Sequence, residues 1–139
     1  MGLFTTNSRD IARQVKESFG DTDSYLVVLK HNSVPKGLLK LLLSVMYFVV
    51  DSSREFILYF DEKGVHEKEF GFSDGTQFLL IPWHEIDEFS VEEHRNKSII
   101  RLTHLGKEYS YEVHYSGNVT MGNQERLQKL VAKSWHKIK

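Results

Sequence analysis

The chain has no cysteine and only two prolines among its 139 residues. Without thiols it forms no disulfide, no thiolate metal site and no cysteine nucleophile, which favours an intracellular, cytoplasmic setting. Its start lacks the cationic stretch, apolar core and small-residue cleavage site of a secretory signal. No apolar run reaches the roughly twenty residues that a membrane-spanning helix needs. The longest, Leu38 to Val50, has thirteen residues broken by Lys40 and Ser44, and reads as a helical turn running into a buried strand. His-Glu-x-x-His, Gly-x-Gly-x-x-Gly and the phosphate-binding loop are also missing.

The length suits a single hydrophobic core. The formal net charge is only −1, but it is unevenly spread: residues 1–50 carry +2, residues 51–94 carry −9 and residues 95–139 carry +6. Such segments either pair across the domain or form separate surfaces for partners of opposite sign. A basic excess and aromatic RNA-binding signatures are both lacking, so no nucleic-acid partner is expected.

Local patterns place the elements. Asn7 or Ser8 can cap a first helix, residues 8 to 19, in which Ile11, Ala12, Val15 and Phe19 recur at helical spacing. Tyr25 to Lys30 reads as a strand. Phe56–Phe60 and Val65–Phe70 read as a hairpin around Asp61-Glu62-Lys63-Gly64, and Phe78–Ile81 as a strand that Pro82 ends. With two-residue loops at Arg95-Asn96 and Leu105-Gly106, the next three strands align Phe89, Leu102 and Tyr109 in one row and Val91, Ile100 and Tyr111 in another. Ser90, Arg101, Ser110, Glu92, Ile99 and Glu112 then fall on an opposite, solvated face. A final helix, Asn123 to Ile138, is capped by Asn123, carries Leu127, Leu130, Val131, Trp135 and Ile138 on one stripe, and turns Lys129, Lys133 and Lys137 to water.

Seven histidines invite a metal test. The strand register separates His104 from His114 by roughly 23 Å, and sets His94 and His114 about 10 Å apart with Lys97 between them. Zinc needs nitrogens about 2.0 to 2.1 Å from the ion and no competing ammonium, so no metal site is expected. His84 beside Glu85 and Asp87 is the nearest approach to a catalytic grouping, but no nucleophile accompanies it. The segment from Lys30 to Lys40 has three lysines, His31 and no acid, which makes Lys30, His31, Lys36 and Lys40 the candidate anion-binding residues.

Ile81-Pro82-Trp83-His84-Glu85-Ile86-Asp87-Glu88-Phe89 resembles the apolar-Pro-aromatic-x-x-Ile turn of bacterial pleckstrin-homology-like (PH-like) and GRAM-like domains. Phe56-Ile57-Leu58-Tyr59-Phe60-Asp61-Glu62-Lys63-Gly64-Val65 is similar to their earlier hairpin. The resemblance covers about residues 25 to 138. It implies an α+β fold: a bent antiparallel barrel of about seven strands, closed at one end by the C-terminal helix. Residues 1–23 would be an appended amphipathic helix and residues 24–139 the domain itself.

The expected function is a non-enzymatic binding module without a cofactor, engaging an unknown protein or a second copy of itself. Two alternatives stand beside it: weak adhesion to an anionic membrane through Lys30–Lys40, and a metal- or water-dependent hydrolase using His84. The first helix must also bury Ile11, Val15 and Phe19, against its own domain or in a dimer.

Overall fold

A computed structural model of the chain describes residues 8–31, 34–35, 54–69, 77–117 and 120–137. The Leu38–Val50 run, Lys36, Lys40, Asn7, Phe70 and Ile138 lie outside the described residues. Helix α1 is Ser8–Phe19. The strands are β1 Tyr25–Lys30, β2 Val34–Pro35, β3 Arg54–Asp61, β4 Gly64–Glu69, β5 Leu79–Pro82, β6 Ile86–Glu93, β7 Lys97–His104 and β8 Lys107–His114, and helix α2 is Asn123–Ala132.

All strand pairings are antiparallel, in the order β5-β4-β3-β1-β8-β7-β6, with the short β2 continuing β1's side of β8. Among the described residues this α+β sheet is an open path that ends on β5 and β6. Phe89, Leu102 and Tyr109 stand in one row and Val91, Ile100 and Tyr111 in the next, as the two-residue loops require. At the β7–β8 loop, Leu105 and Gly106 both adopt positive φ, 53° and 80°, which suits the right-handed twist of a tight hairpin. Gly64 has φ 151°. A Cβ there would sit 2.1 Å from the Ile81 carbonyl oxygen, so β5 approaches β4 this closely only over glycine.

The sheet has helices on both faces. Leu26, Val28, Leu58, Phe60, Ile100 and Leu102 turn inward to the main core, which Leu127 and Leu130 of α2 and the following Trp135 cover. Tyr25, Val27, Ile57 and Tyr59 face the other way and receive Ile11, Val15 and Phe19 of α1. Ile11 and Val15 are fully buried within their own chain, each contributing roughly 1.5 to 3 kcal/mol. Phe19 stacks on Tyr59 with ring centroids 3.8 Å apart.

Three expectations need correction. The outer face of β7 and β8 is not solvated, because Ile99, Thr103, Ser110 and Glu112 are buried. Asn123 does not cap α2; Gly122 occupies the cap position. Its amide instead bridges the sheet where β1 parts from β8, accepting from Val27 N at 3.0 Å and donating to the carbonyls of Val27 and His114 at 2.8 Å. Buried backbone groups left by diverging strands need such a partner. Finally, α2 stops at Ala132, and Ser134–His136 form a left-handed 3₁₀ turn that swings Trp135 inward while Val131 is exposed.

Candidate functional site

Two candidates follow one another at the end of β1, its last residue Lys30 and the next residue His31, and extended-chain alternation sends them to opposite faces. Lys30 shares the inward face of Leu26 and Val28. Its ammonium donates to Glu67 Oε1 at 2.8 Å, and Tyr111 donates its hydroxyl to Glu67 Oε2 at 2.7 Å. Aromatic rings surround the charge, with Tyr109 and Phe56 centroids 4.8 and 5.0 Å from Lys30 Nζ. Burial, reinforced by the Glu67 carboxylate, pushes the Tyr111 hydroxyl well above its usual range, so Tyr111 acts here as a neutral donor. One Glu67 oxygen is thus committed to Lys30 and the other to Tyr111.

His31 belongs to the outer face. Its Nε2 donates to Glu112 Oε2 at 2.9 Å, while Glu112 Oε1 accepts from His114 Nε2 at 2.8 Å and lies 3.4 Å from Lys97 Nζ. The His31 hydrogen bond is the main reason that the Glu112 carboxyl drops to about 2; burial opposes the shift, and the His114 bond and the Lys97 charge add to it. Three donors from three segments therefore converge on one carboxylate. A pocket of about 20 Å³ beside it, with Glu55, Glu112, His114 and Thr120 in its lining, has room for one water molecule. That is far below the size of an organic-ligand site.

The remaining histidines are also engaged. His66 reaches Asp61 at 3.0 Å, His94 reaches Glu92 at 3.0 Å, His104 reaches Glu85 at 2.9 Å and His136 reaches Ser24 at 3.0 Å. Among the described residues no group of three histidine or carboxylate side chains is arranged to hold a metal ion. His84 is 81% exposed, with its Nε2 3.9 Å from Glu85 Oε2. The other Glu85 oxygen takes His104, and Asp87 is exposed. The oppositely charged segments meet at Lys30–Glu67, Arg101–Glu92 and His104–Glu85.

Glu67 is not named in the sequence reading, which gives Tyr111 a place in an apolar row, Glu112 a place on the opposite face and Asn123 a helix cap, but none of them a part in the site. A signal was present for Glu67: the β3–β4 hairpin sets it opposite Leu58 on the core-facing row, where a lone charge demands a partner. Gly71-Phe72-Ser73-Asp74-Gly75 spells the Gly-x-Ser-x-Gly motif and lies outside the described residues. It falls between antiparallel β4 and β5, whereas a nucleophile elbow joins a strand to a helix. Among the described residues no helix is long and apolar enough to cross a membrane. Comparison with family models gives no match, and no curated protein matches the chain.

Proposed function

We propose that this chain is a non-enzymatic, cytoplasmic binding module of PH-like type whose ligand is a protein surface. The observation that carries the reading is the mutual satisfaction of its reactive groups. Glu67, Glu85 and Glu112 are held by histidines, lysines and a tyrosine of the same fold, and the exposed His84 has only Glu85, at 3.9 Å, beside it among the ion pairs of the described residues. The antiparallel order β5-β4-β3-β1-β8-β7-β6, with α2 over one face and the seam between β5 and β6 unpaired among the described residues, supports the PH-like assignment. The engagement of Lys30 and His31 inside the fold weighs against an anion-binding loop built on them.

The test has two arms. Sedimentation of the full chain with anionic and neutral vesicles at low salt should bring down equal, small amounts; selective recovery with anionic vesicles that weakens as salt shortens the Debye length would favour a membrane module instead. A hydrolase substrate panel should show no turnover. Turnover that disappears in His84→Ala would overturn the non-enzymatic reading.

A further inference from the structure

Three consecutive residues with side chains, Ser134, Trp135 and His136, have φ of 53°, 59° and 62°. Left-handed backbone brings Cβ too close to the following carbonyl oxygen in an L-residue and is normally visited singly, by glycine or asparagine. Neither residue type occurs in Lys133-Ser134-Trp135-His136-Lys137. Locally this stretch is free to extend α2, so its left-handed state must be held from outside. The holding contacts are identifiable. The indole of Trp135 lies edge-on to Phe60 and Phe89, with centroids 4.9 and 5.4 Å away, and Trp83 lies 5.3 Å beyond Phe89. His136 meets Ser24 at 3.0 Å. Lys137 Nζ sits 5.6 Å from the Trp83 ring and 5.1 Å from that of Phe89.

Those contacts fill the region of the open seam, where β5 leads through the Trp83–Glu85 turn into β6. In a straight continuation of α2, Trp135 would fall one turn beyond Val131 on the same stripe. Val131 is already exposed. Continuing the helix would release the left-handed turn and present an apolar ridge beside an emptied slot.

We propose that the Phe60–Trp83–Phe89 slot is an exchangeable site for an indole side chain, and that its occupant in trans is Trp135 of a second copy of this chain. The inference rests on reading the domain as a protein-binding module. The occupant is argued from the slot itself, since Trp135 is the side chain that already fits it, and reciprocal exchange closes a two-fold pair. Charge agrees as well: the incoming segment carries Lys133 and Lys137, and β6 beside the slot exposes Asp87, Glu88 and Glu93. Exchange is driven by release of the left-handed turn, because a strained hinge favours swapping.

Light scattering and sedimentation equilibrium on the full chain test this with two substitutions at the exposed Ser134. Ser134→Gly removes the conformational penalty in the plugged state and should weaken dimerisation at least tenfold while raising the melting temperature. Ser134→Ala favours the continued helix and should strengthen dimerisation. Trp135→Ala should be monomeric; if that variant fails to fold, the Ser134 pair still decides. Equal dissociation constants for wild type, Ser134→Gly and Ser134→Ala would overturn exchange, as would a monomeric Ser134→Ala at millimolar concentration. A monomer throughout, with no vesicle binding and no turnover, sinks exchange while leaving the module reading intact.

Discussion

Lys30 and His31 are chain neighbours with opposite fates. Lys30 enters an aromatic interior and meets a carboxylate that has no other charged partner among the contacts described, so its ion pair is nearly all desolvated. His31 lies on the outer face and shares its carboxylate with His114 and Lys97. The inner pair is therefore brittle and the outer one redundant. A buried ion pair gains little over an apolar pair of equal shape, but losing one partner strands the other, whereas a carboxylate with three donors survives the loss of one.

The largest expected effect follows from that brittleness. Glu67→Ala leaves Lys30 and the Tyr111 hydroxyl without their acceptor and should cost about 3–5 kcal/mol in urea unfolding. A value below that of a surface substitution would remove the distinction between the two clusters. Next comes acid stability. The His31 hydrogen bond holds the Glu112 carboxyl down at about 2 in the folded chain, below the ordinary 4.5 of a glutamate, so its contribution is complete above the unfolded value and is lost as pH falls from about 4.5 towards 2. After allowance for solvent screening this amounts to about 2 kcal/mol. Glu112→Gln should flatten that part of the pH–stability curve, and an unchanged acid limb would place the loss in other carboxylates. Tyr111→Phe removes one hydrogen bond to a charged group and should cost about 1.5 kcal/mol, read from the urea midpoint. The smallest effect belongs to Lys97→Ala, whose contact is long and partly exposed; about 0.5 kcal/mol is expected, and a loss as large as that of Glu67→Ala would contradict redundancy at Glu112.

The sequence revealed most where contacts are local. The β6–β7–β8 register was legible because two-residue loops fix it and the apolar alternation allows no slip. The same is true of α1, where the cap candidate Ser8, the apolar spacing from Ile11 to Phe19 and the break at Gly20 delimit Ser8–Phe19. Pairings across long separations were not legible. Lys30 finds Glu67 only because β1 adds beside β3, and the segment between them gives no pairing rule. Asn123 illustrates a conflict between levels: by local chemistry it is a good helix cap, but the gap between β1 and β8 offers its amide three backbone partners. Trp135 repeats the lesson, since the stripe predicts a helix that the aromatic slot overrides. The candidate anion-binding set divides for the same reason. Adjacent positions on a strand look like one patch in the sequence and occupy two faces in the fold.

A double-mutant cycle with Lys30→Met and Glu67→Gln, measured by urea unfolding at pH 7, is the most direct test that Lys30 is part of the fold and not of a ligand site. The interior pairing predicts strong coupling: each single change costs several-fold more than the surface change Lys97→Ala, and the double variant recovers at least about 1.5 kcal/mol of the summed loss. Additivity within about 0.5 kcal/mol would contradict it and return Lys30 to the surface as a residue available to an external anion.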